Sequence, residues 1–263
     1  MTSETTSAAT RWADALASWA IPDRILANAP ASPWVHPPQM FKSSDDDPAD
    51  TPSMVAAAAL LGPDASVLDV GCGGGRSSLP LGNRLRRVIG VDESPEMLEQ
   101  FAAAATARQI PVATVLGRWP DVAPQCKQVD VAVCHHVAYN VADIAPFLRA
   151  LSSSARRSVV VELTSVHPQT PFNELWKQFW NLDRPNEPTA ELFAEVVREV
   201  GFEPEVTSTP RHARPSQLER SEMVAFVRQR LCLNSERDPE IREYLDARPP
   251  LSSDTIVTVH WRT

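Results

Sequence analysis

Four of the chain's nine glycines, Gly71, Gly73, Gly74 and Gly75, fall within five residues, directly after the apolar run Ser66 to Val70. No other feature restricts the fold as strongly. Glycine admits positive φ and lets a backbone approach a ligand closely, and a helix starting after such a turn presents free N–H groups. A tight strand-to-helix turn needs one or two glycines, so four point to a loop shaped around a ligand.

From Ser66 onward, short β-branched runs alternate with helical stretches, the pattern of βαβ units. Strands are predicted at Ser66 to Val70, Val88 to Val91, Val112 to Leu116, Val129 to Cys134 and Ser158 to Leu163, all mostly apolar without alternation. Parallel strands buried on both faces read this way. Two more are expected at Glu203 to Ser208 and Thr255 to Trp261. Helices are expected at Pro95 to Ala107, with Ser94 as N-cap, and at Glu187 to Val200, closed by Gly201. The fold class that follows is α/β, a doubly wound and mostly parallel seven-stranded sheet.

Residues 1–52 stand apart, with three of the seven tryptophans, seven prolines, the run Asp45-Asp46-Asp47 and no strand pattern. Trp12, Leu16 and Trp19 share a helix face, and Pro30 to Pro38 reads as an extended connector. The expected division is an N-terminal helix and Pro-rich lid over 1–52, then one domain over 53–263 with a helical insertion near 216–246.

The glycine loop alone does not name its ligand. Nicotinamide enzymes also place such a turn after the first strand, with an acid about twenty residues on. Asp92 stands 21 positions after Gly71, and its carboxylate suits two ribose hydroxyls in either case. The dinucleotide fingerprint read from Gly71 needs a small residue where Arg76 stands, and read from Gly73 it meets Ser78. It is imperfect in both frames.

The run Val67 to Gly75, Val-Leu-Asp-Val-Gly-Cys-Gly-Gly-Gly, closely resembles the first motif of the class I S-adenosylmethionine-dependent methyltransferases. Val88 to Leu98 is similar to the second motif of that family, and Val129 to Tyr139 to its fourth strand and the turn receiving the methyl. The resemblance spans about residues 54 to 165. It implies a Rossmann-like methyltransferase fold with S-adenosyl-L-methionine as cofactor. By it, Asp69 orients the loop and the cofactor's methionine end, Gly71, Gly73 and Gly75 form the cradle, and Asp92 takes the ribose with Glu93 following. Met97 packs on the adenine face. Gly117, Arg118 and Trp119, at the exit of the third strand, pin the adenine edge. The Asn-Pro-Pro-Tyr and Pro-Cys signatures of nucleic-acid base methylation are missing from the sequence.

Charge agrees with a partner other than nucleic acid: 33 acids against 25 bases give a formal net charge of -8, scattered along the chain. Cys72, Cys126, Cys134 and Cys232 are far apart, which fits a reduced, cytoplasmic setting. The longest apolar stretch, Met54 to Leu61, is too short to span a bilayer, and no membrane role or metal site is expected.

Methyl transfer to a hydroxyl is helped by a base near the acceptor. His135, His136 and His167 all follow strands on the ligand-binding side of such a sheet. His136 is the expected general base and His135 the one facing the cofactor, because adjacent side chains leaving a strand point to opposite sides. Trp34, His36, Phe41, Tyr139 and Trp176, with His167, are candidates for an aromatic acceptor pocket. The expected activity is methyl transfer to a hydroxyl, or a nitrogen, of a small organic molecule. An NAD(P)-dependent oxidoreductase and a non-catalytic S-adenosylmethionine-binding protein are the alternatives.

Overall fold

The β-branched runs pair into one seven-stranded sheet. In the computed structural model, which describes residues 6–35, 51–210, 218–247 and 255–263, the strands are β1 (Ala65–Val70), β2 (Leu85–Asp92), β3 (Val112–Leu116), β4 (Val129–His135), β5 (Ala155–Thr164), β6 (Glu205–Pro210) and β7 (Thr255–Arg262). Their order is β3-β2-β1-β4-β5-β7-β6, with β1 to β5 parallel and β7 antiparallel to both neighbours. Strand order reverses between β1 and β4, and in such sheets the ligand crevice opens at the carboxyl ends of these two strands.

Helices cover both faces. On one, α1 (Ala8–Ala17), α5 (Ile144–Ser154) and α7 (Ala190–Glu199) pack over Leu68, Val91, Ala132, Cys134, Val161 and Trp261. On the other, α3 (Pro52–Leu60) and α4 (Pro95–Ala107) bury Met54, Leu98 and Phe101 against Val67, Val88, Val131 and Val160. Gly90 belongs to this packing, because a Cβ there would lie 2.6 Å from the Phe101 ring. The sheet gives up a side chain so that a fully buried aromatic can fit.

Local signals set the helix ends. Ser94 Oγ accepts from the Met97 amide at 3.3 Å, and α4 spans the expected residues. The α7 helix starts at Ala190, three residues later than expected. Thr189 is held extended by pairing with Val166, and its side chain accepts from the Leu192 amide. The helix expected right after the glycine loop is replaced by a short tight helical segment, Leu79–Arg84, in which Gly82 leaves helical geometry at φ 59. Expectation also fails at β3. As an edge strand it has no residue fully buried, and Leu116 is 54% exposed.

A third apolar cluster forms a cap on the segment leaving β5. It joins Ile21 and Ile25, from before and within α2 (Asp23–Leu26), to Leu175 and Trp176 of α6 (Asn173–Trp180). Val227 of α8 (Arg220–Arg230) and Ile241 of α9 (Asp238–Asp246) complete it, so the expected insertion is two helices. Arg184 ties the parts together, donating to the Trp19 and Ala20 carbonyls at 2.9 Å. The described N-terminal residues, 6–35, pack against the rest of the chain. Trp12 is fully buried and donates to the Val141 carbonyl at 2.8 Å, which makes α1 part of the core. Among the described residues no helix is long and apolar enough to cross a membrane.

Candidate active site

The glycine loop stitches the ends of β1 and β2 together. Gly71 and Cys72 donate to the Val91 carbonyl at 2.8 and 3.0 Å, and Gly71, Gly73 and Gly75 hold φ of 70°, 49° and 93°. A Cβ at Gly71 would come within 2.3 Å of Val137, and one at Gly75 within 2.4 Å of Leu79. Backbone geometry and packing thus demand glycine at both positions.

Asp92, at the end of β2, accepts from the Gly73 amide and the Ser94 amide, both at 2.9 Å. It shapes the loop and caps the approach to α4, and each oxygen keeps a lone pair for a further donor. Asp69 is fully buried on β1: its Oδ2 accepts from the Ser78 hydroxyl at 2.6 Å, while Oδ1 has no partner. Burial, and secondarily the charge of Asp92, push this carboxyl up to about 7 against the Ser78 and Ser77 hydrogen bonds. An orphaned acceptor beside the cradle suits a cationic group such as an amino acid's ammonium.

The remaining residues expected at the cofactor divide. Met97 is buried in the first turn of α4. Glu93 and Arg118 are exposed and face each other at 4.0 Å. Gly117, with φ 143, donates to the Asp92 carbonyl. The Trp119 side chain is buried in the main core and donates to the Phe147 carbonyl at 3.3 Å, so a contact to adenine from this residue falls to its backbone.

Across the β1–β4 boundary the two histidines are not on opposite sides as alternation suggests. His136 adopts φ 60, a left-handed conformation uncommon outside glycine, which turns it back toward β5. Its Nε2 lies 3.0 Å from Glu162 Oε1, and its amide donates to the Glu162 carbonyl at 2.8 Å. His135 stands opposite Glu162 in the β4–β5 register, with its Nε2 shut off from solvent and unpartnered. Burial lowers His135 to about 4, so its ring is neutral near pH 7. Burial would raise Glu162, but hydrogen bonds from His136 and Ser53 and the charges of the two histidines hold it below the usual carboxylate range.

Most of the expected acceptor walls serve other purposes. The Tyr139 hydroxyl donates to the Thr164 carbonyl at 2.6 Å, and its ring stacks on Trp12. His167 stacks on Trp19 with centroids 3.9 Å apart, and its Nδ1 accepts from the Gln169 amide. Burial and nearby Arg184 lower it to about 3, too weak a base for proton removal. Trp176 is buried in the cap beneath the Arg184 guanidinium. Trp34 is exposed, and His36 and Phe41 lie outside the described residues. Sequence reading missed Glu162, Ser53 and Thr258. Glu162 did leave a signal: it is the one acid inside the apolar strand Ser158 to Leu163.

Comparison with known proteins completes the picture of the loop and sheet. Residues 67–157 match the family model described as "Methyltransferase domain". Over those residues the chain is similar to methyltransferase domains. It is also similar to the ubiquinone biosynthesis O-methyltransferase of Methylobacterium sp. (strain 4-46), 32% identical over 100 residues, or 36% of this chain and 40% of that protein. In three dimensions it is similar to a cyclopropane-fatty-acyl-phospholipid synthase-like protein from Lactobacillus casei ATCC 334. The TM-score is 0.54 at 17% identity, covering 80% of this chain and 89% of that one. A magnesium protoporphyrin IX methyltransferase from Synechocystis PCC 6803 with bound SAH gives a TM-score of 0.50 at 16% identity, covering 80% and 77%. Methyltransferases of this class take S-adenosylmethionine, and the residues here fit it: the glycine cradle, the Asp92 carboxylate with spare lone pairs, and the unpartnered Asp69 oxygen.

Proposed function

We propose that the protein transfers a methyl group from S-adenosylmethionine to a hydroxyl of a small organic molecule, with His136 taking the acceptor's proton. The observation that carries this reading is the His136–Glu162 pair at the end of β4, next to the glycine loop: the following residue, Val137, packs directly on Gly71. The O-methyltransferase likeness supports oxygen as the methylated atom.

Asp69 and Asp92 would hold the methionine and ribose ends, and Met97 would pack on the adenine. When bound, the cofactor would supply an electrophilic methyl on a positively charged sulfur for an acceptor oxygen to take. The proton released from the acceptor oxygen passes to His136, whose imidazolium the Glu162 carboxylate stabilises. The cap on the segment after β5 is the candidate cover that keeps water from the acceptor.

Radiolabelled-methyl S-adenosylmethionine, incubated with a panel of phenols, catechols, aliphatic alcohols and amines, tests the activity. Transfer to a hydroxyl is expected, and transfer to amines alone would move the assignment to nitrogen. His136→Ala should lower kcat about a hundredfold with cofactor affinity unchanged. A wild-type rate in that variant would remove His136 from the reaction.

A further inference from the structure

We infer that Glu162 is a positioning residue that locks the neutral His136 ring as the Nε2–H tautomer, leaving Nδ1 as the atom that accepts the proton. This rests on the reading of His136 as the base. One residue holds His136 at two points: the Glu162 carbonyl receives its amide at 2.8 Å and the Glu162 carboxylate lies 3.0 Å from its Nε2. The first contact fixes the left-handed backbone and the second fixes the ring.

The tautomer follows from hydrogen-bond chemistry. An ionised carboxylate only accepts, so the nitrogen facing it must carry the hydrogen. The surroundings favour the ionised form of Glu162: against the effect of burial, the hydrogen bond to the His136 ring and, more weakly, the nearby Ser53 hydroxyl of α3 lower it below the usual carboxylate range. Thr258 of β7 stands opposite Glu162 in register and shares a 2.6 Å hydrogen bond with Ser53, and His135 of β4 stands opposite it on the other side. With Nε2–H turned to the carboxylate, the lone pair left on the ring is at Nδ1. The remaining surface of the His136 side chain is open, at 44% exposure, against 12% for Glu162. The acceptor-facing group is therefore the histidine, and Glu162 acts through it.

Nitrogen NMR of the full chain with ¹⁵N-labelled histidine reads the tautomer without any acceptor. Near pH 8 the His136 ring should appear as Nε2–H, and in Glu162→Gln the Nδ1–H form should gain population. On the hydroxyl acceptor turned over fastest in the panel, Glu162→Gln should lower kcat about tenfold to a hundredfold, with KM for S-adenosylmethionine unchanged. In a His136→Ala background the same substitution should cost almost nothing, since two residues acting as one unit are non-additive. A wild-type ring found as Nδ1–H overturns the inference, and so does a Glu162→Gln penalty of equal size in both backgrounds. Full activity of His136→Ala would instead overturn the base assignment, and the ring's tautomer would then still decide what Glu162 does.

Discussion

The two halves of the proposed site are built in opposite ways. The proposed cofactor half, from Asp69 to Met97, is nearly continuous in sequence: its glycine loop, its acid and its helix cap satisfy one another within about thirty residues. The proposed acceptor half brings Ser53, His136, Glu162 and Thr258 together across four separate elements, next to a core in which Trp12 stacks on Tyr139. A local motif is fixed by backbone geometry and has few tolerated alternatives. A long-range constellation is fixed by sheet register, and it can be perturbed from a distance.

The strongest test of that contrast is Gly71→Val. At φ 70 a β-branched residue is strained, and the added Cβ would lie 2.3 Å from Val137. We expect complete loss of S-adenosylmethionine binding by calorimetry, more than about 4 kcal/mol, combining positive-φ strain with overpacking. Measurable affinity in this variant would mean that the loop is more adaptable than a backbone-determined motif should be.

Trp12→Ala probes the other half. Its indole is fully buried, stacks on Tyr139 with centroids 5.5 Å apart and meets Phe193 edge-on at 5.7 Å. Loss of about 3–4 kcal/mol of stability is expected in chemical denaturation, as for other buried Trp-to-Ala changes. The folded fraction should keep near-normal cofactor affinity. A chain beginning near Asp50 should be destabilised even more, because it loses α1 as well as Ile25 from the cap. Unchanged stability in either would restore the first fifty residues to the status of a detachable lid.

Legibility in the sequence followed the same divide. All seven strands were readable, the five parallel ones because βαβ units announce themselves by short apolar runs, and Asp69, Asp92 and the glycine loop lie together at the ends of β1 and β2. Side-chain direction past a strand end was not readable. The left-handed φ of His136 reverses the alternation rule, and no local pattern marks a histidine for that conformation. Aromatic residues misled in the other direction. Tyr139 and Trp176 looked like pocket walls by position, yet each fills a core, and the hydroxyl of Tyr139 goes to a backbone carbonyl. Only three-dimensional packing distinguishes these uses, since both need large apolar surface with a polar tip.

Asp92→Ala is a smaller and more selective change. It removes the acceptor of the Gly73 and Ser94 amides, so the loop loses a brace while the sheet stays intact. S-adenosylmethionine affinity should fall by about 2 kcal/mol, close to thirtyfold, from the loss of charged hydrogen bonds. Thermal unfolding should barely move. A drop in melting temperature as large as that of Trp12→Ala would place Asp92 with the structural residues and blur the contrast between the halves.

The mildest test uses protons and needs no change of shape. Asp69 is raised from 3.8 to about 7 by burial, with a contribution from Asp92, and one of its oxygens is unpartnered. Because the folded-state value lies above the unfolded one, the folded protein binds more protons between about pH 4 and pH 7. Stability from this group is thus greatest at low pH and declines as pH rises through that window. If the orphaned oxygen receives the cofactor's ammonium, the bound state keeps the carboxylate ionised, and binding below pH 7 must expel a proton. Affinity for S-adenosylmethionine should therefore rise by up to about tenfold per pH unit between pH 5 and 7 and level off above. Calorimetry at pH 6 in buffers of different ionisation enthalpy should report release of about one proton per site. Asp69→Asn should abolish both the release and the slope, while leaving the Ser78 hydrogen bond a usable acceptor. A flat affinity profile in the unaltered protein would mean that the ammonium sits elsewhere and that Asp69 serves only to hold Ser78 and the loop.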